Sequence, residues 1–136
     1  MDAFEKAIAF VLRHEGGYVH DPRDPGGETK FGISKRAYPN MDMKALTEEQ
    51  AKSIYKRDYW LKGGCDNMEW PLCLVHFDAC VNIGIAQANK LNDRAATAMD
   101  YLFLRIEFYC NLKKPEYLRG WINRVIDLWK YVLNAV

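Results

Sequence analysis

Phe4, Ile8, Val11 and Leu12 recur at helical spacing, which predicts an amphipathic helix from Ala3 to Glu15 that stops at Gly16-Gly17. Between Tyr18 and Asn40 the periodicity disappears. Pro22, Pro25 and Pro39 break the chain, leaving a loop in which Tyr18-Val19 and Lys30 to Ile33 suit a short hairpin. Thr47-Glu48-Glu49-Gln50 is a capping box that opens a second helix through Ile54, Tyr55 and Tyr59, ended by Lys62-Gly63-Gly64. Pro71 suits the first position of a third helix, Leu72 to about Leu91, which is apolar on most sides. Such a helix is expected at the buried centre of a bundle. Two amphipathic stretches follow, Ala95 to Leu112 and Glu116 to Leu133, divided by Pro115. The last carries Trp121, Val125, Leu128 and Val132 on one face. The pattern predicts an all-α fold, a helical bundle around a buried central helix with at most a small β-hairpin. No repeat or linker interrupts it, so one domain is expected over 1–136.

Composition narrows the function classes. The chain has 136 residues, 49% apolar and 27% charged, which suits one soluble core. A formal net charge of +1 supplies no field to collect nucleic acid or membrane. No apolar run approaches the roughly 20 residues of a membrane span. Asp2 and Glu5 interrupt the start, which lacks the form of a signal peptide. The expectation is a protein made in the cytoplasm. The cysteines, Cys65, Cys73, Cys80 and Cys110, form no CxxC pair, so no zinc spacing is present. Cys73 and Cys80 stand about 10 Å apart on one helix, beyond disulfide reach, so buried free thiols are expected.

The stretch RHEGGYVHDPRDPGGETKFGIS, residues 13–34, carries the candidate chemistry. At about 100° per residue, Glu15 points within roughly 20° of Phe4 and Ile8, so it continues the core-facing stripe. It also ends a helix, where the macrodipole disfavours negative charge. Burial and dipole together favour the neutral acid that a general acid must be. Against this stands a frayed helix end with a solvated glutamate. Asp24 or Thr29, across a cleft, offers a second group to support an oxocarbenium-like state or activate water, as glycoside hydrolysis requires. Asp21 reads as turn chemistry. His14, His20, Asp21 and Asp24 share no known ligand spacing, so no metal is expected.

The same stretch resembles the opening of the glycoside hydrolase family 108 lysozymes, phage and bacterial N-acetylmuramidases, which read EGGY, then DP-x-DPGG-x-T, then a YGI-like triplet. Here that triplet is Phe31-Gly32-Ile33. YKRDYW (55–60), FDACVNIG (77–84) and LRGWINRV (118–125) resemble later family blocks. The resemblance implies a lysozyme-like fold with a small β part and a glycan cleft. It carries the catalytic acid to Glu15 and supporting roles to Asp24 and Thr29, although the Asp-to-Thr spacing differs by about one residue from the usual phage pattern. It divides the domain into a catalytic segment, 1–92, and a C-terminal helical segment, 93–136. The latter looks short, because a family segment after the VNIG block is absent.

Other side chains have two readings each. Asp78 and Asn82 share one face of the central helix. Either binds sugar or makes a packing hydrogen bond, with Asp78 leaning to structure. Tyr18, beside the glycines, and Tyr55 are candidates to line the cleft, with Gly32 near them, although aromatics at helical spacing usually pack. Trp60, His14 and His76 read as packed or surface residues. Lys113, Lys114, Arg119, Arg124 and Lys130 read as a solvated basic face. The expected function is a peptidoglycan-cleaving muramidase, a phage or prophage endolysin released by a holin-type route. It would act as a monomer, without cofactor, nucleic acid or stable membrane association. The alternative is a weak or inactive lysozyme-like domain that binds glycan or assists secretion.

Overall fold

In the computed structural model, which describes residues 1–23 and 26–135, the first helix runs as its stripe predicts. It is α1 (Ala3–Glu15). Asp2 and Glu5 form a capping box at its start, and Gly16 leaves the helix at φ 75°. The loop beyond holds three short strands rather than one hairpin: β1 (Val19–His20), β2 (Glu28–Lys30) and β3 (Ile33–Ser34), antiparallel in that order. Val19 pairs with Thr29 and Lys30 with Ile33. The extra strand forms because the expected arm from Lys30 to Ile33 turns back at Phe31-Gly32, so that Ile33-Ser34 pairs with β2 as β3.

Thr47 and Gln50 close the predicted capping box of α2 (Glu48–Tyr55), which runs on as a π-helical segment, Lys56–Leu61. A short 3₁₀ turn (Cys65–Asn67) leads to α3 (Leu72–Ile83). The long third helix expected to reach Leu91 is divided. Gly84 takes φ 87° and α4 (Ile85–Arg94) starts beyond it. The reason is a change of pattern. α3 is apolar all round, whereas α4 buries only one face, through Ala88 and Leu91. The turn at Gly84 lets α4 lay that face on the core. Thr97 caps α5 (Ala98–Asn111), and α6 (Pro115–Asn134) begins on Pro115.

The architecture is mostly helical and lysozyme-like, built around α3, whose residues from Cys73 to Cys80 are all buried. α3 packs on α1, α4, α5 and the π-helical segment. Phe77 lies 5.9 Å from Phe4 and 5.3 Å edge-on from Trp60, which meets Phe4 in turn at 5.4 Å. Each such side chain contributes about 1.5–3 kcal/mol when withdrawn from water. Cys65, Cys73 and Cys80 are buried free thiols, whereas Cys110 is exposed on α5. Among the described residues no helix is long and apolar enough to cross a membrane.

Candidate active site

Glu15 ends α1 with its side chain 22% exposed, as the stripe and the helix stop together dictate. Its Oε1 accepts a hydrogen bond from Nη1 of Arg124 at 2.8 Å. Arg124 sits on α6, 109 residues away, and is buried, so it does not belong to the solvated basic face expected for it. Its Nε donates to both oxygens of Asp78, at 2.9 and 3.2 Å. Its Nη2 stands 2.8 Å from the same carboxylate as an ion pair without a directed hydrogen bond. Asp78 also accepts from Nη2 of Arg105 on α5 at 2.8 Å. That atom donates to the Tyr109 hydroxyl as well, which in turn donates to Oδ1 of Asn82. Two carboxyl groups thus meet two guanidiniums along the chain Glu15–Arg124–Asp78–Arg105. α3 supplies its hub, and α1, α5 and α6 supply the spokes.

Asp78 and Arg105 have no solvent-accessible surface. Burial alone would raise the Asp78 carboxyl, but the Arg105 and Arg124 charges outweigh it and hold it below the ordinary aspartate value. The linkage follows from that direction. The stabilisation is fully present above about pH 4, the range of an unfolded aspartate, and is lost as pH falls through the depressed folded value. Urea unfolding measured from pH 6 downward is therefore expected to show stability falling below about pH 4. The fall should be shallower in Asp78→Asn; equal slopes would remove Asp78 as the source.

The sheet approaches Glu15 through one turn. Phe31 and Gly32 link β2 to β3 with φ of 53° and 79°, the mirror-image turn that suits strand twist. Phe31 pays a steric cost there, and its carbonyl is held by the Tyr55 hydroxyl at 2.6 Å. Burial first, then the nearby Glu15 charge, push the Tyr55 hydroxyl above its ordinary value, so it stays a donor. A Cβ on Gly32 would collide with the Tyr55 hydroxyl and come within 2.9 Å of Cβ and Cγ of Glu15. Gly32→Ala is thus expected to lose about 1–3 kcal/mol of stability and to displace the Glu15 stem. Activity should drop by more than the unfolded fraction explains. Gly17→Ala is the control: nothing lies within 4 Å of its Cβ position, so its thermal midpoint should barely move.

Not every expected residue reaches this centre. Gly32 and Tyr55 pack against Glu15, and Asp78 is tied to it through Arg124. Tyr55 and Asp78, expected to bind sugar, are buried, Tyr55 against the Phe31 carbonyl and Asp78 between Arg105 and Arg124. Asn82 is half-buried and bound by Tyr109. Tyr18 is 39% exposed, and its hydroxyl donates to Oε2 of Glu28 at 2.6 Å, a bond that raises the phenol from its ordinary value. Thr29 lies mid-strand in β2 between Val19 and Ser34. Asp24 lies outside the described residues. Asp21 accepts from the Arg23 amide at 3.0 Å, the turn chemistry its sequence predicts. Trp60 is core, and His14 pairs with Asp127 at 3.1 Å. A cleft of about 560 Å³ runs past Leu12 and Arg13 to Gly16, Gly17 and Phe31 without being lined by Glu15. Its carboxylates are the exposed Glu5, engaged in capping α1, and Glu48.

Sequence reasoning missed Arg105 and Arg124. Both had a signal. Arg105 follows Tyr101 by four residues and precedes Tyr109 by four, and Arg124 precedes Leu128 by four, so each lies on an apolar helical face.

A helix-terminal carboxyl pinned by an arginine lies beside a small antiparallel sheet and over a buried central helix, the frame of a lysozyme-like fold. The family model described as Glycosyl hydrolase 108 matches residues 8–84, more than half of the chain, and the chain belongs to that family. It is a peptidoglycan hydrolase in kind. Among solved structures, that of SagA from Brucella abortus is similar, with a TM-score of 0.81 and 26% identity over 96% of this chain and 94% of that one. No curated protein matches. The family match ends at Gly84, where α3 ends, so Glu15 and Asp78 fall within it and both arginines beyond it.

Proposed function

We propose that the protein is an N-acetylmuramidase that cleaves the β-1,4 bond between N-acetylmuramic acid and N-acetylglucosamine, with Glu15 as general acid. The observation that carries the proposal is the asymmetry of the Glu15 carboxyl. Oε1 is engaged by Arg124, while no hydrogen bond reaches Oε2 among the described residues. The arginine bond therefore selects Oε2 to bear the proton, and the partial exposure lets a glycosidic oxygen accept it. As the bond breaks, the leaving sugar takes that proton and the carboxylate left behind is met by Arg124. Charge on the remaining sugar ring needs a second group on the opposite face. Asp24, with Thr29 to hold water, is proposed for that role on the family resemblance, and Tyr18 as an aromatic face for a sugar ring.

The role proposed is that of a monomeric phage or prophage endolysin that acts on the cell wall after release by a holin-type route. Its support is the substrate, a polymer outside the cytoplasm, together with the family motifs. Mass spectrometry of digested sacculi tests the bond. A new reducing end on muramic acid is expected. A reducing end on glucosamine, or free peptides, would remove the muramidase assignment.

A further inference from the structure

We propose that Cys65, His76 and Cys80, joined by the Gly63 carbonyl, form a buried structural site for zinc on the face of α3 opposite the Glu15 network. The two thiol sulfurs and a ring nitrogen of His76 lie within 4.8 Å of one another, and all three residues are fully buried. His76 and Cys80 are one turn apart on α3 and share a face, whereas Asp78 points about 160–200° away from both. Cys65 opens the 3₁₀ turn that follows the Gly63-Gly64 corner.

The hydrogen bonds of His76 give the cluster its meaning. The Tyr101 hydroxyl donates to the Ala88 carbonyl at 2.9 Å and so spends its only proton. In the tautomer that carries its proton on Nδ1, His76 donates from Nδ1 to that hydroxyl at 2.7 Å. A neutral ring with its proton on Nδ1 has a bare lone pair on Nε2. That lone pair faces the Gly63 carbonyl oxygen at 3.0 Å and Cys80 Sγ at 3.5 Å. In that tautomer a cation placed between them would be met by the ring nitrogen, the carbonyl oxygen and the sulfur together. A histidine whose far nitrogen is fixed by a hydroxyl is also the usual form of a metal ligand.

The nitrogen-to-sulfur edge agrees. With zinc bonds of about 2.3 Å to sulfur and about 2.0–2.1 Å to nitrogen, a tetrahedral edge between the two ligands is about 3.5 Å. That is the spacing of His76 Nε2 and Cys80 Sγ. The backbone closes over the site at Gly63, where a Cβ would stand 2.9 Å from Cys80 Sγ and 3.5 Å from Cys65 Sγ. Two thiolates and one imidazole suit a soft divalent ion and no oxygen-loving one. On binding, the two thiols release their protons to solvent and two thiolates neutralise the dication, so no net charge is buried. With the carbonyl as fourth ligand no position stays open. The ion would staple the corner after the π-helical segment to α3 rather than take part in catalysis. The absence of a CxxC pair hid the set, because its spacing is made by the tertiary fold.

The test uses the full chain and needs no activity measurement. Zinc retained after dialysis is measured for wild type, Cys65→Ser, Cys80→Ser, Cys73→Ser and Cys110→Ser, and metal-stripped folded wild type is titrated with cobalt(II). Wild type and the last two variants should hold close to one zinc per chain, and the first two should lose it. Cobalt should give a thiolate charge-transfer band, with the strong visible bands of a tetrahedral site. The proposal fails if folded wild type neither keeps zinc nor develops the cobalt band. It also fails if native protein yields a Cys65–Cys80 disulfide on non-reducing peptide mapping, or if the band survives in both Cys65→Ser and Cys80→Ser. The cobalt titration of wild type decides the matter even where a variant fails to fold.

Discussion

Glu15→Gln is expected to slow sacculus solubilisation by about 100-fold or more while the helical fold survives, because general acid catalysis contributes roughly that much. The amide keeps the shape of the carboxyl. Its oxygen can still accept from Arg124 Nη1, now at 2.8 Å from Oε1, so the pin on the helix end is kept. What disappears is the dissociable proton. Arg124 retains Asp78 as a counter-ion, so the stability loss should stay near 1 kcal/mol, the scale of a partly exposed ion pair. Turbidity of permeabilised cells measures the rate, and far-ultraviolet circular dichroism checks the fold. A folded variant with near wild-type lysis would remove Glu15 from the chemistry. Equal inactivity of wild type and variant, with both still bound to sacculi, would favour the glycan-binding alternative.

Asp78→Asn is expected to cost about 3–5 kcal/mol in urea unfolding, the range for removing one member of a buried charge network. Arg124 would keep Glu15, but Arg105 would be left with neutral acceptors, the Tyr109 hydroxyl and the amide oxygen of the new side chain. Among the described residues Arg105 Nε and Nη1 have no hydrogen-bond partner even in the intact protein, so Asp78 supplies its only counter-charge. Domains of this size have only about 5–15 kcal/mol of net stability, so the variant should be near its limit at room temperature. Adding Arg105→Met removes the stranded cation and should recover part of the loss. A loss below about 1 kcal/mol in Asp78→Asn would show that the network contributes little to the fold.

Much of the site was legible before any coordinates. Ile8 and Val11 are buried and Glu15 follows them on the same side of α1, because helical geometry sets direction without reference to the rest of the chain. Asp78 and Asn82 were legible as polar groups on an apolar helix that needed partners. Their partners were not legible: Arg105 and Tyr109 come from α5 and Arg124 from α6. The division of α3 from α4 was half legible, since Gly84 stands where the pattern changes from all-round apolar to one-sided. The turn at Phe31 was hidden, because a bulky residue at positive φ is held there by a tyrosine 24 residues away.

What the sequence determined by itself was local: the helix that ends on Glu15, the caps at Asp2 and Thr47, the Asp21 turn and the apolar centre at α3. Each depends on groups within about one turn of the chain, where period and propensity act. The tertiary structure decided which charge meets which. It brought Arg124 to Glu15, set Gly32 against the same carboxyl's stem, and gathered Cys65, His76 and Cys80 around one point. Those pairings reach across as many as 109 positions. Only the packing of α1, α3, α5 and α6 closes such distances, because burying their apolar faces leaves each polar group no partner but the one placed opposite it.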